Sequence, residues 1–226
     1  SSSNRILHVE QESLYGPSAL VEFSLLSAKA TLANNARIVP PVTNTATVKF
    51  VNAAVTSSTG MRNTHRGVRL NGQALLTLNN SSFSKGTYGA YSYNTTLGNA
   101  PNPVNCSFED CNTGLYNYDK GINAGDCHFD KNDAGLVCLQ MSITSFLTNC
   151  TAKFNSGTGV SYQGSSTLHV ENPAFDKNAI GLEVIGATAL VNCGSVSYNG
   201  KRGFFVHHAG TLRMDTNHGD DHHPGT

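Results

Sequence analysis

Tryptophan is absent from these 226 residues, and methionine occurs only three times. Charge is scarce as well: 13% of the chain, with 15 basic and 15 acidic side chains that cancel at pH 7. No basic block or stripe stands out, so the chain lacks the electrostatic footprint of a nucleic-acid or anionic-membrane partner. No run of 18 apolar residues is present, which excludes a membrane-spanning helix. The six cysteines form no Cys-x-x-Cys pair and no fixed His spacing accompanies them, which argues against structural zinc. Apolar spacings of three and four, the mark of an amphipathic helix, are missing too. What remains is rich in Asn, Ser, Thr and Gly. That composition suits a secreted, cell-surface or virion-surface β protein better than a cytosolic enzyme. The opening Ser1-Ser2-Ser3, without an initiator Met, reads as a processed or excised polypeptide.

Against this background one feature repeats. A glycine followed by an apolar residue occurs at Gly67-Val68, Gly89-Ala90, Gly114-Leu115, Gly135-Leu136, Gly159-Val160, Gly181-Leu182 and Gly203-Phe204, a step of about 22 residues. Ahead of most of these glycines stands an apolar residue, two variable positions and Asn: Phe129 to Asn132, Ala152 to Asn155, Phe175 to Asn178 and Val196 to Asn199. Phe108 to Cys111 and Phe83 to Gly86 are looser copies. Further upstream a second Asn recurs as Asn52, Asn80, Asn105, Asn149, Asn172 and Asn192, with Asp126 once in its place. Asn tolerates the left-handed backbone of a tight corner, and stacked copies can hydrogen-bond into a ladder. Glycine is expected at the sharpest corner, where a Cβ would clash.

Between these fixtures lie segments of alternating polarity, 181–185, 189–192 and 195–198, which is strand periodicity. Three short strands and three corners fill one period, whereas two-helix repeats need about 33 residues. The chain thus resembles the right-handed parallel β-helix solenoids of the pectate-lyase-like and phage-tailspike-like kind, over roughly Asn52 to Met214. The resemblance implies an all-β parallel solenoid with about 22 residues per coil and a rod of roughly 35 Å at about 4.8 Å per coil. It implies no single activity, because lyases, hydrolases, epimerases, adhesins and viral fibres share that fold.

Residues 1–51 match the repeat poorly and read as a cap or irregular first coils, with strands at Arg5–Val9, Ala19–Leu26 and Ala46–Val51 and a break at Pro40-Pro41. Residues 52–214 form the solenoid, and 215–226 a His/Asp-rich tail. Asn94 to Pro103 adds the extra residues of the longest repeat and reads as a loop. Cys106, Cys127, Cys150 and Cys193 all follow the upstream Asn or its Asp substitute. They form either a buried thiol ladder or, at one-coil spacing, a Cys106–Cys127 or Cys127–Cys150 disulfide. Glycosylation sequons at Asn80, Asn105 and Asn149 fall on ladder positions expected to be buried, which leaves Asn94 as the accessible one.

If the residue after each glycine points inward, its neighbours form an outward column: Arg69, Tyr91 with Tyr93, Tyr116 with Tyr118, Val137 with Leu139, Ser161, Glu183 with Ile185, and Phe205 with His207. An aromatic and aliphatic outer stripe reads as an interface between copies of the chain or with fibre neighbours. It reads alternatively as a polysaccharide platform on which Arg69 or Glu183 supplies hydrogen bonds, or as a surface covered by a loop. Arg69, Tyr91, Tyr93, Tyr116, Tyr118, Glu183, Phe205 and His207 are therefore the candidate binding or interface residues. The resemblance suggests cation-dependent lyase or paired-carboxylate hydrolase chemistry, yet the family's Asn-Thr-Asp, Gly-His-Gly and Asp-Pro-His-Asp signatures are missing. No catalytic residue is assigned. Asp110, Asp130 and Asp176 are expected to stack as paired corner charges. No cofactor is expected; the His- and Asp-rich end reads as a flexible or partner-bound tail, with divalent-metal binding as the alternative. The sequence reads as an extracellular structural or adhesive module, with a polysaccharide-binding or polysaccharide-degrading solenoid as the alternative.

Overall fold

The computed structural model describes residues 20–32, 47–57, 66–71, 75–93 and 103–215. Every regular element among them is a strand. Among the described residues no helix is long and apolar enough to cross a membrane.

The first sheet stacks seven parallel strands in chain order: Arg66–Asn71, Tyr88–Tyr93, Thr113–Tyr118, Ala134–Met141, Thr158–Gly164, Ile180–Ile185 and Arg202–His207. Val68, Ala90, Leu115, Leu136, Val160, Leu182 and Phe204 fall in one register row. The glycine-apolar repeat therefore counts coils, of about 23 residues each. A second sheet stacks Asn123–Gly125, Ser145–Thr148, Thr167–Glu171, Thr188–Asn192 and Thr211–Asp215. The third side begins with Ser82–Ser84 on Ser107–Glu109 and then thins to single bridges that link Ser107, His128, Thr151, Ala174 and Ser195. The expected strand at 195–198 is thus one bridge. Left-handed residues at Cys193 and Tyr198 turn the chain on either side of it and leave no room for a longer ladder. Leu20–Leu32 runs parallel to Thr47–Ser57, which in turn pairs with Leu75–Asn79 and Ser82–Ser84. The strand expected at Arg5–Val9, the loop at 94–102 with its Asn94 sequon, and the tail beyond Asp215 lie outside the described residues.

Inward rows fill the coil. Leu115, Leu136, Val160 and Leu182 have no exposed surface, and neither do Cys138, Tyr162 and Val184 two positions on. The rings of Phe83, Phe108 and Phe129 stack along the axis at 5.2 and 5.3 Å between centroids. Tyr162 is buried whole, so its hydroxyl needs internal partners and finds them in Ser145 (3.1 Å) and Ser166 (2.7 Å). Burial raises its pKa, an effect that both of these hydrogen bonds oppose.

The two Asn columns have different tasks. The second is the internal ladder. Asn132, Asn155 and Asn178 are buried, and each side-chain carbonyl accepts the backbone N–H of the residue one coil earlier: Cys111 to Asn132 (2.9 Å), Asn132 to Asn155 (2.8 Å), Asn155 to Asn178 (3.0 Å) and Asn178 to Asn199 (2.9 Å). Their amides donate to buried carbonyls, as Asn155 does to Phe129 O at 3.0 Å. These are corner groups without strand partners, and the ladder satisfies them. The first column, expected to be buried, is exposed instead. Asn80, Asn105, Asp126, Asn149 and Asn172 take left-handed φ between 47° and 52°, which turns their side chains out. They form an exterior ladder, with Asn105 donating to Asn80 (2.9 Å), Asn149 to Asp126 (3.0 Å) and Asn172 to Asn149 (3.0 Å).

Asn192 does not continue that column. It pairs with Glu171, and Cys193 takes the left-handed corner with φ 53°. The dipeptide is slipped by one residue relative to Asn149-Cys150, so Cys193 is exposed while Cys106, Cys127 and Cys150 are buried. No two of the six cysteines are bonded to each other in the structure.

The repeating glycines also differ from expectation. Gly89, Gly114, Gly135, Gly159 and Gly181 lie within strands and have no positive φ. The corners are made by Lys85, Asp110, Lys131, Phe154, Lys177 and Tyr198, with φ between 53° and 62°. Glycine is required in the strand because of the neighbouring coil: a Cβ on Gly135 would lie 2.5 Å from Gly159 O and 2.7 Å from Phe129 O.

Candidate functional site

Outward residues of the first sheet stand in register rows as alternation predicts. One row runs Arg69, Tyr91, Tyr116, Val137, Ser161, Glu183, Phe205. Beside it Tyr93, Tyr118 and Leu139 form a second row, and Ile185 and His207 pair at its far end. The side chains of Arg69 and Tyr93 lie outside the described residues. The bulge between Cys138 and Met141 breaks the second row, so it is not one continuous stripe.

At one end the tyrosines pack on each other. Tyr91 and Tyr116 stack face to face, 4.8 Å between centroids and 2° between planes, and Tyr88 meets both edge-on at 5.0 and 5.7 Å. Each of the two stacked rings covers one face of the other. Tyr118 sits alongside, its hydroxyl donating to Gln140 Oε1. Tyr88 is a site residue that glycine-relative alternation misses. It stands just before Gly89, and the strand buries both Gly89 and Ala90 in succession.

The other end is polar. Glu183 accepts a hydrogen bond from Ser161 Oγ (2.8 Å), and its second oxygen lies 3.3 Å from His207 Nε2. His207 stacks on Phe205 at 4.5 Å and lies 2.6 Å, Nδ1 to Nδ1, from His208. The Arg202 guanidinium sits 4.0 Å from the Phe205 centroid. Glu183, Phe205 and His207 are therefore brought together, apart from the tyrosine cluster and separated from it along the row by Val137.

The corner acids do not stack as expected. Phe108 lies on Phe129 in the coil stack, so Glu109 aligns with Asp130, and Asp110 aligns with Lys131. Lys153 stands between Asp130 and Asp176. Each aspartate clamps the next coil: Asp130 accepts from Thr151 Oγ1 (3.0 Å) and Lys153 N (2.8 Å), and Asp176 from Ser195 Oγ (2.7 Å) and Ser197 N (2.8 Å). Glu109 accepts from Ser107 Oγ at 3.1 Å and pairs with Lys131 at 3.5 Å. These carboxylates are occupied in holding coils together. Among the described residues no group of three or more His, Cys, Asp or Glu side chains could hold a metal.

Sequence reasoning also passed over two exposed aromatics, Phe154 (54% exposed) and Tyr198 (84%). Both occupy the left-handed corner slot filled elsewhere by Lys131 and Lys177, and Lys177 Nζ lies 4.9 Å from the Phe154 centroid. Aligning the Phe-Asp-Lys-Asn copies would have marked that slot as outward.

No curated protein and no solved structure matches the chain. Residues 42–217 match the family described as the right handed beta helix region, which agrees with the parallel stacking and the internal ladder. On that match and on its coil geometry, the chain belongs to the right-handed β-helix family.

Proposed function

We propose that the protein is a structural or adhesive β-helix module, displayed outside the cell or on a particle surface, which assembles with copies of itself through the outward face of the first sheet. The observation that carries this reading is the Tyr88–Tyr91–Tyr116 cluster with Tyr118, Val137 and Leu139 beside it, half-buried in the isolated chain and contiguous across three coils. Tyrosines of this kind suit protein contacts: large, rigid area with a hydroxyl at the rim. A sugar stacks on an open ring face, and Tyr91 and Tyr116 each lose one face to the other.

The described carboxylates of the outward row and the corner column have partners in neighbouring coils. Hydrolysis needs two carboxyl groups, about 5 Å apart for retention and about 6.5–9.5 Å for inversion. Glu183 has Ser161 and His207 as its partners. Glu109 and Asp130 are committed to inter-coil contacts. The polar end supports the alternative of polysaccharide binding, since Glu183, His207 and Arg202 flank the Phe205 ring.

Light scattering on the wild type and on Tyr116→Ser/Tyr118→Ser tests the assembly reading. A multimer that shrinks on substitution supports it, and a wild-type monomer of unchanged mass rejects it. Retention of an acidic polysaccharide by the wild type but not by Glu183→Gln would move the assignment to the alternative.

A further inference from the structure

We infer that Cys106, Cys127 and Cys150 form a thiol–disulfide exchange site inside the solenoid, in which three sulfurs share one disulfide and Cys127 is always a member of it.

Bridges from Val104 to Gly125, from Ser107 to His128 and from His128 to Thr151 place the three cysteines at one position of three successive coils. Each follows a left-handed residue, Asn105, Asp126 or Asn149, that turns its own side chain out and the cysteine in. Their exposures are 1%, 0% and 1%. The Cys127 thiol donates to backbone carbonyls, Pro103 O at 3.1 Å and Gly125 O at 3.2 Å, and its neighbours Cys106 and Cys150, followed by burial, raise its pKa.

Equivalent Cα atoms in adjacent coils are about 4.8 Å apart, inside the disulfide range of about 4.4–6.8 Å. Two coils separate Cys106 from Cys150, about 9.6 Å, which is outside it. A bond can form on either side of Cys127 but not across it, and not on both sides at once. The column ends at both limits without another sulfur: Ser81 precedes Cys106, and Pro173 follows Cys150. Cys193 is turned out by the one-residue slip, and Cys111 and Cys138 occupy other inward rows.

The chemistry follows from the row. Two thiols and one low-molecular-weight disulfide, such as glutathione disulfide, yield one protein disulfide and two glutathione thiols. From the Cys106–Cys127 form, the Cys150 thiolate attacks Cys127 Sγ as the Cys106–Cys127 bond breaks. The electron pair leaves on Cys106 Sγ, which takes up the proton that Cys150 lost. No net oxidation occurs, and the coil register puts Cys127 between the two sulfurs that exchange on it. Burial makes the first oxidation slow, because the external disulfide enters only when the coil opens.

The test uses the full chain carrying Cys193→Ser, which removes the exposed thiol. It is oxidised with glutathione disulfide, quenched in acid, alkylated and peptide-mapped. The expected result is a mass loss of two hydrogens per chain, with the Cys106–Cys127 and Cys127–Cys150 linkages both present. Cys106→Ser should give only the second linkage and Cys150→Ser only the first. Cys127→Ser and Cys127→Ala should retain every thiol while their circular dichroism stays that of the parent. A single linkage in the parent, a Cys106–Cys150 linkage, bonds to Cys111 or Cys138, or unchanged oxidation without Cys127 would overturn the proposal. So would a parent that keeps all its thiols after prolonged exposure to the oxidant under mild denaturation.

Discussion

Asn155→Ala removes one rung of the internal ladder, and its cost can be worked from the bonds lost. The side chain accepts from Asn132 N at 2.8 Å and donates to Phe129 O at 3.0 Å and to Asn178 Oδ1 at 2.9 Å. Asn178 Oδ1 keeps a partner after the substitution, because the backbone N–H of residue 155 still donates to it at 3.0 Å. Asn132 N–H and Phe129 C=O lose theirs in a dry interior. Each stranded buried group costs about 1–3 kcal/mol, so the substitution should destabilise by about 4 kcal/mol. At the half-buried end of the ladder, water can replace Asn199, and Asn199→Ala should cost only about 1 kcal/mol. Urea denaturation followed by circular dichroism measures both, with the midpoint shifting at constant slope. If Asn155→Ala costs no more than Asn199→Ala, the internal ladder is not what satisfies these corners.

Three other outcomes are expected. Asp126 cannot donate to Asn105 Oδ1, so the exterior ladder lacks a bond there; Asp126→Asn restores it in a left-handed position that Asn favours and should raise stability by about 0.5–1 kcal/mol in the same denaturation assay. Gly135→Ala drives a methyl into backbone oxygens at 2.5 and 2.7 Å and should cost about 3 kcal/mol or more, whereas Gly125→Ala meets nothing within 4 Å at a φ that is not positive and should stabilise by about 0.5 kcal/mol; thermal melts that place the two variants together would contradict the close-approach account. Burial raises the Cys138 thiol pKa above its unfolded value, so its contribution is whole below about pH 8.5 and falls by about 1.4 kcal/mol per pH unit above that until the folded pKa is reached. Stability measured in reductant at pH 7 and pH 9.5 should therefore fall less for Cys138→Ala than for the parent, and equal losses would refute the assignment.

Several features were legible in the sequence because each depends on local chemistry that recurs every coil. The glycine-apolar step marked one strand of each coil, since at Gly89, Gly114, Gly135, Gly159 and Gly181 a Cβ would lie 2.5–2.7 Å from the carbonyl oxygen of the next glycine in the row. Period-two alternation placed Tyr91, Tyr116, Glu183 and Phe205 in one outward row because strand geometry leaves no alternative. The two Asn columns were visible as a repeat. Their directions were not, because side-chain direction at a corner depends on φ, and the choice between Asn149 outside and Asn155 inside was made by the left-handed turn at Asn149. The slip at Asn192-Cys193 was equally hidden. Asn-Cys looks the same in either register, and only pairing of Asn192 with Glu171 decides it.

The candidate site divides in the same way. Composition and alternation were enough to name the outward residues, but the separation into a stacked tyrosine end and a Ser161–Glu183–His207 end came from contacts between coils 22 or more residues apart in sequence. The sequence alone determined a one-dimensional repeat, because its period, alternation and corner residues are properties of a single coil. Tertiary stacking decided which way each corner side chain turns, which acids are occupied and which sulfurs meet. These depend on what the next coil places about 4.8 Å away, and no single coil encodes that.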